Sequence, residues 1–79
     1  MASQVERAFG MAIRRWRHRL KLSQEDFAEK VDVHRTYISS VELGKVSVGI
    51  GVASRLAEAL GLPLSRLLRE AERELRPHR

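Results

Sequence analysis

The segment SQEDFAEKVDVHRTYISSVE, residues 23–42, decides the fold, because it predicts two short helices joined by a tight turn. Ser23 and Asp26 have the spacing of a capping box, in which a hydroxyl and a carboxylate satisfy free amides at a helix N-terminus. Asp32 favours turns over helix interiors. A second helix is expected to begin at or just before Arg35. The rest of the chain is expected to pack around this pair of helices.

The second helix of the pair has one apolar side and one polar side. Ile38 and Val41 are spaced to face the core, which leaves the polar residues outward. Arginine binds guanine bidentately, threonine contacts the thymine methyl group, and serine donates or accepts a hydrogen bond at a base edge. Short polar side chains also occur on ordinary solvated helices, but this combination at the leading end of a helix is what base readout requires. The predicted base-reading residues are Arg35, Thr36, Tyr37 and Ser39.

These residues resemble the helix-turn-helix of the Cro/lambda-repressor (XRE) family. The matching positions run in order from about Phe9 to Leu68, which covers most of the chain. The resemblance is carried by Leu22-Ser23-Gln24-Glu25, Phe27-Ala28-Glu29-Lys30, Arg35-Thr36-Tyr37-Ile38-Ser39, Val41-Glu42 and Gly44-Lys45. It implies an all-α fold, a compact five-helix bundle with a lambda-repressor-like DNA-binding domain.

Within this family, the short length and the RTYIS helix, residues 35–39, are most similar to the controller proteins of restriction–modification systems. That similarity implies a homodimer that binds a pseudopalindromic operator in double-stranded DNA. A controller would regulate its own operon and an endonuclease gene, and as an activator it would engage RNA polymerase. Two alternatives stay open: a general XRE repressor of the phage or antitoxin type, and a protein-interaction adaptor that uses the scaffold without DNA.

Composition narrows the classes of function. The chain has 79 residues, enough for a single domain over 1–79, and no cysteine, which excludes disulfides and thiolate metal sites. A net charge of +5 favours phosphate contacts. No apolar run is long enough to span a membrane, so a cytoplasmic protein without a membrane partner is expected. Neither a catalytic frame nor a metal-ligand set is recognisable, so we expect no enzyme activity and no cofactor.

The first helix is expected from Val5 to about Lys21, after a loose N-terminus over residues 1–4. Its apolar positions recur at helical spacing. Trp16 lies in that apolar stripe, which favours a core role over base stacking. Gly10 lies inside this helix, where a glycine lowers helix stability by roughly 1 kcal/mol relative to alanine. Close packing against another helix is the expected reason for this glycine.

Another group of residues is expected to hold the DNA backbone. Gln24 lies at the start of the second helix, where free amides also bind phosphate. His34 is expected to cap the third helix in place of serine or aspartate, with a phosphate contact as the alternative. The predicted backbone contacts are Gln24, Arg17, His34, Lys45 and Ser47. By the family resemblance, Arg14 and Glu42 form a structural ion pair, and Leu43 stands where relatives often carry a basic residue.

The last part of the chain predicts two more helices. The fourth begins at residue 50 or 52, lacks a strong cap, and ends near residue 60, before Gly61. The fifth spans about 64–76 and is the expected dimerisation helix, while its Leu64, Leu67 and Leu68 can close the core. The residues predicted for the dimer interface are Leu60, Leu62, Leu64, Ala71 and Leu75.

Overall fold

A computed structural model describes residues 3–76 of the chain, and within them the fold is all-α. The helices are α1 Gln4–Arg19, α2 Gln24–Val31, α3 Arg35–Glu42, α4 Ile50–Ala59 and α5 Leu64–Leu75. The predicted five-helix bundle is confirmed, with α2 and α3 as its helix-turn-helix. No helix among the described residues is long and apolar enough to cross a membrane.

A capping box fixes the start of α1. Ser3 Oγ accepts a hydrogen bond from the Glu6 amide at 3.2 Å, and the Glu6 carboxylate accepts one from the Ser3 amide at 2.8 Å. The predicted loose N-terminus is therefore wrong for Ser3 and Gln4, which cap and begin the helix. The helix also ends at Arg19, slightly before the predicted boundary. Residues 1 and 2 lie outside the described part of the chain.

The predicted capping box of α2 is confirmed. Ser23 Oγ accepts a hydrogen bond from the Asp26 amide at 2.9 Å, and Asp26 accepts one from the Ser23 amide at 3.4 Å. The helix ends at Val31, and Asp32 adopts a left-handed conformation with φ 63°. Aspartate tolerates this conformation better than most residues do, which explains why the turn occurs there. This tight turn sets the position of α3 relative to α2.

Each helix contributes to one central core. Its fully buried large side chains include one from every helix: Ile13, Phe27, Ile38, Leu56 and Leu67. Burial of such a side chain stabilises a fold by about 1.5–3 kcal/mol. Gly10 lies where α1 meets α3, and a Cβ atom at this position would lie 2.2 Å from the carbonyl oxygen of Val41. The predicted close packing at Gly10 is confirmed.

A polar cluster fastens α5 to α1 beside the core. Trp16 is half-buried, and its Nε1 donates to both carboxylate oxygens of Glu70 at 3.0 Å. The guanidinium groups of Arg19 and Arg66 lie 4.5 Å and 5.2 Å from the centre of the Trp16 ring. Such cation–π contacts are worth about 0.5–1 kcal/mol at exposed sites. Trp16 therefore packs against the edge of the core instead of lying inside it as predicted, and its indole nitrogen adds a polar contact with α5.

The packing of α4 and α5 corrects three predictions. Leu60 and Ala71 are only 5% and 3% exposed within the single chain, so neither is available to a second protomer. Leu68 is 41% exposed, so its predicted core role is wrong, whereas the core role of Leu67 is confirmed. Gly49 is the N-cap of α4 and makes no side-chain cap bond, which matches the weak start expected there.

Candidate nucleic-acid interface

The start of α3 is fixed by an imidazole. His34 Nδ1 accepts a hydrogen bond from the Thr36 amide at 3.1 Å and lies 2.8 Å from Thr36 Oγ1. The predicted capping role of His34 is confirmed. Because a protonated Nδ1 has no free lone pair, this cap requires the ring nitrogen that faces the helix to be unprotonated. The alternative contact between His34 and a phosphate stays a prediction.

A buried ion pair holds the C-terminal end of α3 against α1. Arg17 Nε donates to Glu42 Oε2 at 2.6 Å, and Arg17 Nη2 donates to Glu42 Oε1 at 3.0 Å. Arg17 Nη1 donates to the carbonyl of Leu22 at 2.8 Å, and the Gln24 side-chain amide donates to Glu42 at 3.1 Å. Arg17 and Glu42 are each 6% exposed. One carboxylate therefore ties α1, α2 and α3 together.

This pair corrects two predictions. The pairing of Glu42 with Arg14 is wrong, because Arg14 is exposed and Arg17, three residues further along α1, is the partner. The phosphate contact of Arg17 is also wrong, because its guanidinium is buried and already bonded to Glu42 and a backbone carbonyl. Gln24 is half-buried with its amide nitrogen on Glu42, and its contact with the DNA backbone stays a prediction.

The outward face of α3 carries the predicted base-reading side chains. Arg35 and Thr36 are exposed, and Ser39 is half-buried on the same side of the helix. Tyr37 lies at the flank, where it is half-buried and packs against the core. Ile38 is fully buried on the opposite side. The helix therefore presents a short polar surface to solvent, while its other side is buried in the core.

The loop after α3 is held against α1 at two points. Gly44 has φ 69°, and a Cβ atom there would lie 2.7 Å from the Cα of Arg7. The Ser47 hydroxyl donates a hydrogen bond to the Glu6 carboxylate. This bond, with a second from the backbone amide of the α1 cap, holds the pKa of Glu6 below its ordinary value. Lys45 lies exposed between these points, and the phosphate contacts of Lys45 and Ser47 stay predictions.

Charge is distributed unevenly along the chain. Residues 23–45 hold three basic and five acidic residues, whereas residues 3–22 hold six basic residues and one acidic residue. The acidic side chains of α2 are exposed, and they are Glu25, Asp26 and Glu29. Most of the positive charge that would attract a phosphate backbone therefore lies outside the helix-turn-helix itself. Within residues 3–76, no group of three or more His, Asp or Glu side chains could hold a metal.

An apolar groove of about 430 Å³ opens between the N-terminal ends of α1, α4 and α5. Its apolar lining consists of Val5, Phe9, Ala53, Val48, Ile50, Leu64 and Leu68. Ile50 is 79% exposed, the highest value among the large hydrophobic side chains of the described residues. Sequence reasoning missed this groove, although an isoleucine at the first position of a weakly capped helix was a signal for it. Of the other predicted interface residues, Leu62 and Leu64 are half-buried, and Leu75 is exposed.

Comparison with known families identifies the helix-turn-helix at the centre of the chain. The family model described as Helix-turn-helix matches residues 13–67. This range contains α2, α3 and α4 completely, together with the end of α1 and the start of α5. The match therefore covers the capped helix pair, its buried ion pair and the loop after α3.

Similar proteins extend the match over most of the chain. Control protein C.MunI of Mycoplasma sp is 36% identical over 73 residues, covering 91% of this chain and 99% of that protein. Control protein C.BamHI of Bacillus amyloliquefaciens is 35% identical, covering 86% of this chain and 85% of that protein. The crystal structure of the restriction-modification controller protein C.AhdI from Aeromonas hydrophila is 33% identical with a TM-score of 0.75. It covers 77% of this chain and 92% of that chain.

Proposed function

Because this chain belongs to the helix-turn-helix family of DNA-binding transcriptional regulators, we propose that it binds a pseudopalindromic operator as a homodimer and controls a restriction–modification system. The observation that carries the operator proposal is the exposed polar face of α3 on a helix that is anchored at both ends. A recognition helix presents its leading residues to base edges in the major groove. The His34 cap anchors the start of α3, and the Arg17–Glu42 pair anchors its end.

In this mechanism α3 enters the major groove and its leading residues read base edges. Arg35 would bind guanine O6 and N7, and Thr36 and Ser39 would contact neighbouring bases. Tyr37, at the flank of α3, would contact a base step or a phosphate. Three observations support these assignments: the exposure of Arg35, the exposure of Thr36, and the burial of the opposite side of the helix.

Contacts with the DNA backbone would orient the domain on the duplex. Gln24 and the free amides at the start of α2 would bind a phosphate on one side of α3. His34, Lys45 and Ser47 would bind phosphates near the two ends of α3. The support for Lys45 is its exposure in a loop that is fastened to α1 on both sides. Since the Ser47 hydroxyl donates its single hydrogen to Glu6 and a DNA phosphate can only accept, this contact would use the backbone amide of Ser47.

A second copy of the chain would cover the apolar groove. A single recognition helix reads only a few base pairs, so useful specificity requires two of them, about one helical turn or ~10 bp apart. The support for a protein partner is the groove's continuous apolar lining beside the exposed Ile50, a kind of surface that partner proteins cover. Leu62, Leu64 and Leu75 stay in the proposed interface because each keeps exposed surface.

The proposed biological setting follows from the control proteins to which the chain is similar. In that setting the protein acts in the cytoplasm, where it meets its operator, and it carries no catalytic role. Activation at low occupancy would require contact with RNA polymerase, and repression at high occupancy would not. A methyltransferase or restriction endonuclease gene beside the gene for this chain would support the proposal. A phage or toxin gene in that place would support a general repressor instead.

Selection of bound sequences from random duplex DNA, at low and high salt, tests the operator proposal. We expect enrichment of an inverted repeat at both salt concentrations, because base contacts persist when phosphate contacts are screened. Binding that shows no enrichment and disappears as salt rises would contradict the proposal. In that case the chain would be a basic helical domain that uses the scaffold for protein contacts.

The Arg35→Ala variant tests the base-reading role directly. We expect it to lose about 1–3 kcal/mol of operator affinity and to relax specificity at one position of each half-site. Arg69→Ala is the matched control, because it removes the same charge from an exposed position on α5. Equal losses for the two variants, or an equal loss by Arg35→Ala on all DNA sequences, would contradict the assignment.

A further inference from the structure

Leu43 is an exposed apolar residue at the end of the polar face of α3. It is the C-cap residue, with φ −85° and ψ −3°, so it continues the helical geometry of α3. Its side chain is 52% exposed. On a helix, positions separated by three, four and seven residues share one side. Leu43 therefore lies in line with Ser39, Ser40 and Thr36, on the side opposite the buried Ile38.

The hydrogen bonds that end α3 do not require a leucine at position 43. The Gly44 amide donates to the Val41 carbonyl at 3.0 Å, and the Lys45 amide donates to the Ser40 carbonyl at 2.9 Å. These bonds form a Schellman motif, whose usual hydrophobic contact joins the positions held here by Lys45 and Ser40. Leu43 takes no part in that contact. Its apolar surface is free for a ligand on the outward side of α3.

We propose that Leu43 is a specificity-determining residue that contacts the 5-methyl group of a thymine in the operator. This inference rests on the proposed entry of α3 into the major groove. The thymine methyl is the apolar group that base pairs present in that groove, so it is the partner that matches an aliphatic side chain. Leu43 lies about 10 Å further along α3 than Thr36. That distance corresponds to about three base steps of ~3.4 Å, so Leu43 would read a different base pair from Thr36.

The alternative partner for Leu43 is the sugar–phosphate backbone. A backbone contact would contribute equally on every DNA sequence, because sugars and phosphates carry no sequence information. A methyl contact would depend on one base position in each half-site. Replacing thymine by deoxyuridine removes the methyl group and leaves the hydrogen-bonding pattern of the base unchanged, so it separates the two partners.

The experiment uses the operator recovered by selection, with each thymine of one half-site replaced in turn by deoxyuridine. We expect the full-length protein to lose affinity about fourfold at one position, which corresponds to about 0.8 kcal/mol for one methyl-sized group. At that position Leu43→Ala should bind the thymine and deoxyuridine operators equally well, and Leu43→Met should keep part of the difference. A loss at a thymine contacted by Thr36 lies at another base pair and should persist in Leu43→Ala. Leu20→Ala is the matched control, because Leu20 is an exposed C-cap leucine at the end of α1.

The outcomes distinguish this inference from the proposed function. Failure to recover any inverted repeat would overturn both. Recovery of an operator whose deoxyuridine substitutions affect wild type and Leu43→Ala equally would overturn the Leu43 contact alone. An equal loss by Leu43→Ala on operator and unrelated DNA would also overturn it. Loss of the deoxyuridine effect in Leu43→Ala, with the effect unchanged in Leu20→Ala, would establish the contact.

Discussion

At the scale of single residues, Gly10 is the point where α1 and α3 come closest. An alanine Cβ there would lie 2.2 Å from the Val41 carbonyl oxygen and 2.7 Å from that of Glu42. Both atoms belong to the backbone, so the helices must move apart. We expect Gly10→Ala to lower the free energy of unfolding by about 1–3 kcal/mol in urea titrations. Gly51→Ala, with no atom within 4 Å, should raise it by about 0.5–1 kcal/mol. A Gly10→Ala protein as stable as wild type would contradict this account.

The buried pair of Arg17 and Glu42 gives a second prediction at this scale. Removal of one partner leaves the other charged, buried and uncompensated, so Arg17→Met should cost about 3–5 kcal/mol of stability. Arg14→Met, at an exposed position, should change stability by less than about 0.5 kcal/mol. The double variant Arg17→Met/Glu42→Leu should recover part of the loss, because it leaves no unpaired charge. Equal effects of Arg14→Met and Arg17→Met in chemical unfolding would contradict the assignment of the pair.

The Arg17–Glu42 pair and Gly10 also show which features could not be predicted from the sequence. An arginine on α1 and the glutamate of α3 were expected to pair, and they do. The choice between positions 14 and 17 depends on how α1 crosses α3, because residues three apart lie on nearly the same side of a helix. Close contact at Gly10 was predictable from glycine in a helix, but the contacting backbone on α3 was not. The formation of a helix and the kinds of residue that can pair depend on nearby sequence. The angle and position at which α1 crosses α3 depend on how the whole core packs.

At the scale of helices, boundaries were predictable wherever a cap and the apolar period agreed. The Ser23 cap and the His34 cap were both expected and both occur. The start of α1 was missed because the apolar period begins at Val5. The Ser-x-x-Glu spacing of Ser3 and Glu6 was a signal that could have found it. Capping is read from a few neighbouring residues, so it is among the features that a single sequence determines well.

Glu6 connects the cap of α1 with the loop after α3, and it gives a pH-dependent prediction. The Ser47 hydroxyl is the main reason that its pKa lies below the ordinary value of 4.5. Because the ionised form is the one stabilised, this contribution is present above the unfolded pKa and is lost as pH falls through the lowered folded pKa. We therefore expect Ser47→Ala to raise the pKa of Glu6 toward its ordinary value in an NMR titration. It should also weaken the loss of stability on acidification below about pH 4.

The matched control for this titration is Ser65→Ala, which removes an exposed serine hydroxyl on α5. It should leave the titration of Glu6 unchanged. If Ser47→Ala and Ser65→Ala shifted the pKa of Glu6 equally, the hydrogen bond between Ser47 and Glu6 would not exist in solution. The loop that carries Lys45 would then lack one of its two attachments to α1, and its position beside α3 would need another explanation.

At the scale of the whole molecule, the side chains that remain exposed after the helices pack determine what the chain can bind. The sequence predicted which residues are apolar on α4 and α5, but not which of them the core would use. Leu60 and Ala71 are buried in the core, whereas Leu68 and Ile50 are exposed. That division depends on how five helices share one small core, so it could not be obtained from the period of any single helix. The exposed polar side of α3 was easier to predict because α3 is short and has a single buried side.

The apolar groove gives the prediction that belongs to this scale. A lysine at position 50 would place a charge in the centre of the proposed interface, among mostly apolar side chains. The acidic residue that lines the groove, Glu6, already accepts hydrogen bonds from Ser3 and Ser47. Ile50→Lys should therefore weaken dimerisation by about 2 kcal/mol or more, roughly a thirtyfold rise in the dimer dissociation constant. Analytical ultracentrifugation over a range of protein concentrations would measure this change, and far-UV circular dichroism would confirm that the fold is retained.

Leu20→Lys is the matched control for this variant. Leu20 is 45% exposed at the C-terminal end of α1 and does not line the groove, so the same charge placed there should leave the dimer intact. In the proposed mechanism, dimerisation and operator binding are linked, because two half-sites would be bound tightly only when the two recognition helices are held together. Ile50→Lys should thus lose affinity for the inverted repeat while its affinity for an isolated half-site is unchanged. If Ile50→Lys stayed dimeric and Leu20→Lys did not, the interface would lie at the C-terminal end of α1 and not at the apolar groove.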